Sequence, residues 1–419
     1  MRCRGAQPGA LACLSLALVG ACFDEPPSAS VRVPATSNGG AGGTGGEGGT
    51  AVSSALPVCT AERTANCARA VALAAEGRHT CVTMSDGTVR CFGANGSFQL
   101  GDPHTPQGSF QGTRLVQGLR HPETVFAGRE HNCAAVEGGA LWCWGRNNRG
   151  QLGTGDTDFA TAPRAIDALA TTGRANDATC VVDPEGTVRC WGVLLDGQRW
   201  DPYFGEFNAE PTVVPLPGKV QTLAVASRHA CAVLEGGERV MCWGRDSSSA
   251  LGRGIDGNSA TPVDVADSLL TPVHLISGSA ERTCISAGTP ARVQCWGRQR
   301  PSGTWAEPTL LPVQPDGEVV DLRVGWGHSC VLLADGRVQC WGLNDRESLG
   351  VPGDHSADPV GVTGLDDAVA LATGTSHSCV IRGDGSVACW GSNEFGELNL
   401  PSNVPASWQP VAIDLEVTP

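Results

Sequence analysis

The chain has 419 residues and a formal net charge of −14, and only 5% of its residues are aromatic, against 56 glycines and 27 prolines. That balance disfavours nucleic acid as a partner, because affinity for a phosphate backbone draws on clustered lysine and arginine, and here Lys219 is the only lysine. Glycine and proline at this level, with few aromatics, suit many short strands joined by tight turns rather than long helices.

In chain order, Arg2 and Arg4 precede an apolar run from Leu11 to Val19, then Gly20, Ala21 and Cys22. This is a secretory signal pattern, and the run is too short to span a bilayer. Leu18-Val19-Gly20-Ala21-Cys22 also resembles the lipobox of bacterial lipoproteins, which implies acylation of Cys22 at the mature N-terminus; the competing reading is plain cleavage near Ala21. Residues 1–21 are therefore expected to be a lipoprotein-type signal peptide. Residues 22–58, with the tract Gly39-Gly40-Ala41-Gly42-Gly43-Thr44-Gly45-Gly46, cannot bury a core and read as a flexible tether. Gly43, Gly45 and Gly48 satisfy a dinucleotide fingerprint only by accident, since no strand precedes them and no helix follows.

Residues 59–419 repeat one unit seven times. Its clearest copy runs Gly128-Arg129-Glu130-His131-Asn132-Cys133, then a Gly138-Gly139 turn, then Leu141-Trp142-Cys143-Trp144-Gly145. The cysteine pairs are Cys81 and Cys91, Cys133 and Cys143, Cys180 and Cys190, Cys231 and Cys242, Cys284 and Cys295, Cys330 and Cys340, and Cys379 and Cys389. Around a short glycine-containing hairpin the two members face each other on one side of the ribbon, within reach of a disulfide, and export favours the oxidised form. Seven intrablade disulfides are expected, with Cys59 and Cys67 as a further pair. A histidine two residues before the first cysteine, at 79, 131, 229, 328 and 377, raises zinc as a competing reading. Two thiolates and one imidazole fall a ligand short, and Ala178 and Arg282 replace the histidine in units three and five. Packed histidines bonding to neighbouring backbone are expected instead, with no metal and no cofactor.

A strand precedes each hairpin, as in Ala368-Val369-Ala370-Leu371-Ala372, and another follows it, near Pro163, Pro262 or Pro359. Four strands per unit and seven units give an all-β, seven-bladed propeller, because a lone blade cannot bury its two faces. The end of the chain, Gln409-Pro410-Val411-Ala412-Ile413-Asp414-Leu415, is expected to close the ring by completing blade one beside the N-terminal strands.

The run Gly145-Arg146-Asn147-Asn148-Arg149-Gly150-Gln151-Leu152-Gly153, with partial copies at Gly93-Ala94-Asn95, Gln99-Leu100-Gly101 and Leu349-Gly350, resembles the regulator of chromosome condensation repeat. The resemblance implies the propeller fold and spans nearly everything after the tether. It implies far less about function: the founding member is a nuclear exchange factor for a GTPase that also binds chromatin, and other members are secreted binding proteins. The recurring Trp144, Trp191, Trp243, Trp296, Trp341 and Trp390 read as blade packing rather than a ligand platform.

No Walker A, H-E-x-x-H or G-x-S-x-G motif occurs, so catalysis has no sequence support and the expectation is a non-enzymatic module. Function is expected where the copies differ. In unit three the segment after Gly192 carries Arg199, Trp200, Tyr203, Phe204 and Phe207, the composition of a binding hot spot; the same rings could instead fill a gap left by a degenerate turn. Unit five departs second, with Arg282 and an insertion from Arg298 to Trp305, whose Trp305 is a further expected contact. The sequence thus points to a monomeric, exported binding protein, held at a membrane only by its lipid and probing an unknown protein partner. A glycan-binding module and, from the resemblance alone, a guanine-nucleotide exchange activity are the alternatives.

Overall fold

A computed structural model describes residues 58–59, 67–193, 207–301 and 303–417. The expected signal peptide, Cys22 and nearly all of the tether lie outside the described residues, as do Arg199, Trp200, Tyr203 and Phe204.

The described chain forms seven sheets of four antiparallel strands, each sheet built from consecutive strands. From the centre outward, each blade has strands A, B, C and D; in blade one these are Ala70–Ala75, His79–Met84, Val89–Ala94 and Ser109–Leu115. Blade seven ends the ring with Ala368–Thr373, His377–Arg382, Val387–Ser392 and Ala406–Ala412. Strand B is buried along almost its whole length in every blade, for instance all six residues of His229–Leu234, because it is covered by a neighbouring blade on both faces.

The hairpin register is as the spacing predicts. Cys81 faces Cys91 and Cys133 faces Cys143, and the two eleven-residue pairs, Cys231 with Cys242 and Cys284 with Cys295, are also directly opposed. All seven pairs are disulfide-bonded, with Cα atoms 4.0 to 4.1 Å apart, and Cys59 is bonded to Cys67. The glycine that ends strand C is required by close approach. Gly145 has φ of 102°, and a Cβ there would lie 2.7 Å from the carbonyl oxygen of Glu130.

Ring closure differs in detail from the expectation. The last strand, Ala406–Ala412, pairs with strand C of blade seven and not with blade one. It is the tail just beyond it that reaches blade one: Val417 forms a parallel bridge with Thr113. Buried Arg90 donates to Leu415 O at 2.9 Å, and Thr113 donates to Asp414 O at 2.7 Å. Apolar packing seals the same seam, with Leu73, Val82 and Phe92 of blade one against Ala372 and Ile381 of blade seven and Leu415 of the tail. A blade of contiguous strands satisfies its own ladder, so the tail needs only to cover the edge.

Candidate functional site

In an antiparallel A–B–C–D blade the A–B and C–D connections fall at one end of the propeller and the B–C hairpins at the other. The two connections at the first end are tied together by backbone: Arg146 N donates to Glu130 O, Arg245 N to Arg228 O and Leu343 N to Gly327 O, each at 2.8 or 2.9 Å. Within the C–D connection of blade two, Asn147 Oδ1 accepts from Leu152 N, and its amide donates to Asp156 O. Asn95, Asn344 and Asn393 accept the same inward bond from Leu100, Leu349 and Leu398, and Asp246 accepts it from Leu251 in blade four.

Two sets of bonds run from blade to blade beneath this face. Trp144 donates to Gln99 O, Trp191 to Gln151 O, Trp296 to Ala250 O and Trp390 to Ser348 O, all at 3.0 Å. The tryptophans are packing residues, as expected: these four anchor on the C–D loop of the preceding blade, with Gly153 leaving room for the Trp191 ring, while Trp243 and Trp341 are buried with no indole acceptor among the described residues. The histidines do something the sequence reading did not find. Their Nε2 atoms reach forward to the polar residue just before the first cysteine of the next blade, not to backbone. His79 meets Asn132, His131 meets Thr179, His229 meets Thr283, His328 meets Ser378 and His377 closes the ring on Thr80, at 2.7 or 2.8 Å. The pairing of histidine with a Ser, Thr or Asn one position later was in the sequence, but it joins residues 48 to 297 apart. Burial pushes all five imidazoles down, to about 4 for His79 and His229 and about 3 for His131, His328 and His377, so they are neutral in the folded protein.

The central channel is blocked near this end. Glu76 of blade one accepts from Asn176 of blade three at 2.5 Å and from Ser279 of blade five at 2.6 Å, and Ser227 of blade four donates to Asn176 at 3.1 Å. Burial pushes the Glu76 carboxyl well above the usual range, only partly offset by the Ser279 bond. Below this plug lies a cavity of about 60 Å³ with Arg174 and Arg323 on its wall; burial and the Arg323 charge lower Arg174 to about 9. Above it the channel opens into a funnel of about 360 Å³ lined by all seven blades, including Arg78, Arg129, Asn176, Ser227, Trp326 and Phe395. Arg78 stacks on Phe395 at 4.2 Å, and Trp326 is 47% exposed in the A–B loop of blade six, large for a tryptophan.

A second cleft of about 290 Å³ adjoins the funnel, centred on blades four to six and reaching blades two and three, and is lined by Arg129, Arg228, Arg282, Arg298 and Arg300, against Asp177 and Glu281. Blade five explains why it is open. Its strands C and D run Arg292–Gln299 and Gly303–Leu310, so residues 300–302 replace the thirteen- or fourteen-residue loops that begin with Asn95, Arg146, Arg245, Leu343 and Asn393. The apparent insertion is thus two long strands with a shortened connection. Trp305 belongs to strand D, faces Gly297 and is partly buried against the Leu322 and Trp341 cluster. Of the unit-three residues, only Phe207 is described, and it is exposed beside strand D of its blade.

Fold and repeat together define a seven-bladed propeller with a closed channel and one elaborated face. The repeats are those named regulator of chromosome condensation (RCC1) repeats, whose family models match residues 123–151, 319–347 and 368–397 and, in a second form, 138–180; the chain is an RCC1-repeat propeller. It is 25% identical to the ultraviolet-B receptor UVR8 of Arabidopsis thaliana over 240 residues, 54% of each chain. It is also 25% identical to the human E3 ubiquitin-protein ligase HERC2 over 286 residues, 62% of this chain and 6% of HERC2. The match therefore spans about half of one relative and a small part of the other. Among solved structures, Prp20p of Saccharomyces cerevisiae, described with its binding to Gsp1p and histones, superposes with a TM-score of 0.68 at 18% identity, over 78% of this chain and 85% of Prp20p. Human WBSCR16 gives 0.66 at 18% identity, over 78% and 93%. These likenesses show the fold.

Proposed function

We propose that this propeller is a non-enzymatic binding module that recognises a protein partner through the face bearing its A–B and C–D loops. The observation that carries the reading is the funnel over the blocked channel. All seven blades contribute to it, and it presents Trp326, Phe395 and Arg78 around a rim, whereas the channel beneath is closed by the Glu76 network. Aromatic and arginine side chains in a concavity are the usual anchors of a protein interface. Prp20p, which shares the fold, is described as binding protein partners, which fits this use of the scaffold. Strands C and D of blade three, Val188–Gly192 and Asn208–Val213, have their facing ends at this same face; Arg199, Trp200, Tyr203 and Phe204 lie outside the described residues, and their part in the contact rests on the sequence.

In this reading the protein is exported and anchored at the cell envelope through Cys22, with the glycine-rich tether letting the propeller reach its partner. Affinity capture from intact cells, followed by mass spectrometry, tests the face. A Trp326→Ala, Phe395→Ala double variant and a Trp200→Ala, Tyr203→Ala, Phe204→Ala triple variant should each lose the partner, and Arg337→Gln, on the opposite B–C hairpins, should keep it. Retention by both face variants would sink the proposal.

A further inference from the structure

Arg282 occupies the position that five other blades give to a buried neutral histidine. It is 2% exposed, and among the described residues its Nη2 donates to the neutral carbonyls Gly325 O at 3.2 Å and His328 O at 2.9 Å while its Nε has no partner. Among the described residues no carboxylate lies within ion-pair distance of it. A buried guanidinium with no counter-charge costs several kcal/mol, a cost that the histidine of the other blades avoids by being neutral.

The same residue lines the 290 Å³ cleft opened by the short connection of blade five, where Arg298 and Arg300 join it. The two acids of that cleft are occupied. Glu281 accepts from Ser247 at 3.0 Å and Ser248 at 3.1 Å and lies 3.6 Å from Arg298, while Asp177 faces Arg129 at 3.9 Å. Arg300 stacks on the Trp326 ring at 4.8 Å, which holds its guanidinium in one plane and leaves the N–H edges for a ligand. Burial lowers both, aided at Arg282 by the Arg300 charge, which brings it to about 10, and at Arg300 by the Arg298 charge, against which Glu281 and Asp345 pull the other way. The cleft sets five arginines against two acids, so it keeps an excess of positive charge in a chain of net charge −14.

We propose that Arg282, Arg298 and Arg300, backed by Trp326, form an oxyanion-binding site at blade five, and that its occupant is a carboxylate from an acidic segment of the protein partner. The site rests on the docking face proposed above and names the chemistry recognised there. A planar guanidinium pairs with a carboxylate through two parallel N–H bonds, and the unpaired Arg282 Nε gains an acceptor when the cleft is filled.

Isothermal titration calorimetry with acetylated triglutamate and, separately, inorganic phosphate tests this. The variants are Arg282→His, which restores the residue of the other blades and should fold, Arg300→Gln, and Arg337→Gln as a control. Triglutamate should bind wild type and Arg337→Gln alike, bind Arg282→His and Arg300→Gln at least tenfold more weakly, and weaken with added sodium chloride. Phosphate binding with the same dependence on Arg282 and Arg300, but no triglutamate binding, would leave the oxyanion site standing with a free anion as its source, and would remove the partner's carboxylate. Binding of neither probe, or binding indifferent to Arg282→His and Arg300→Gln, overturns the site whether or not the face captures a protein.

Discussion

The ring of buried histidines makes the propeller sensitive to mild acid. Each of the five is pushed from 6.5 to about 3 or 4 by burial, so the unfolded chain takes up their protons first and stability is lost as pH falls below 6.5. At pH 5.5 each imidazole costs about 1.4 kcal/mol relative to neutral pH, or about 7 kcal/mol for five. Glu397, raised to about 7 by burial, works in the opposite sense, because its folded form welcomes the proton; it returns about 2 kcal/mol between pH 7.5 and 5.5. Glu76 is raised and acts in the same direction as Glu397. The discriminating perturbation is His229→Ala, which places in blade four the alanine that blade three carries at 178. Glu281 is the charge that pulls against burial at His229, and it remains in the variant. Guanidinium unfolding followed by tryptophan fluorescence, with disulfides intact, should show wild type losing stability from pH 7.5 to 5.5, and His229→Ala losing about 1.4 kcal/mol less over that interval. Equal losses in the two proteins would refute the assignment of neutral, ring-forming histidines.

Each intrablade disulfide closes a loop of about ten residues and is worth about 3 kcal/mol in chain entropy, so Cys379→Ala, Cys389→Ala should lower the unfolding free energy by about that amount, and full reduction should abolish the near-ultraviolet circular dichroism of the fold. Trp390→Phe keeps the ring in place but leaves Ser348 O without its buried donor, with an expected loss of about 1 to 3 kcal/mol by the same denaturation assay. Cys22→Ser should release the protein from the membrane fraction and abolish labelling by a palmitate analogue; persistent labelling would show that the lipid is elsewhere.

The fold was legible because the repeat states it seven times. Cysteine pairs ten or eleven residues apart around a glycine turn fix the hairpin register without reference to any distant residue, and the observed pairing of Cys81 with Cys91 follows from local geometry alone. What stayed hidden joins separate blades. The His79 to Asn132 and His377 to Thr80 bonds are visible only once the blades are placed side by side, and a histidine beside a cysteine suggests a metal or a backbone partner more readily than an amide or hydroxyl one blade away. The closing strand was misplaced for a related reason: Gln409 to Leu415 reads equally well as the outer strand of the last blade or of the first, and only the ladder to Cys389 decides. Likewise the run Arg298 to Trp305 looks long beside its neighbours, but extending strands C and D by a few residues each turns it into a hairpin and opens a cleft where the other blades have a loop.

Blades three and five lose the histidine and the Gly-Gln-Leu-Gly turn together, and the structure explains why the losses travel as a pair. The turn supplies the carbonyl that receives the next blade's tryptophan, as Gln99 does for Trp144, while the histidine bonds the next blade's hydroxyl or amide beside it. A blade that gives up the turn gives up part of its grip on its neighbour: Trp341, which follows blade five, finds no acceptor among the described residues. Blade five replaces that grip with Arg282, whose bonds to Gly325 O and His328 O still reach blade six. The substitution keeps the blades joined, but at the expense of an uncompensated buried charge facing an open cleft. A purely structural replacement had a cheaper solution in histidine, already used five times in this ring, so the charge at Arg282 is best accounted for by what enters the cleft.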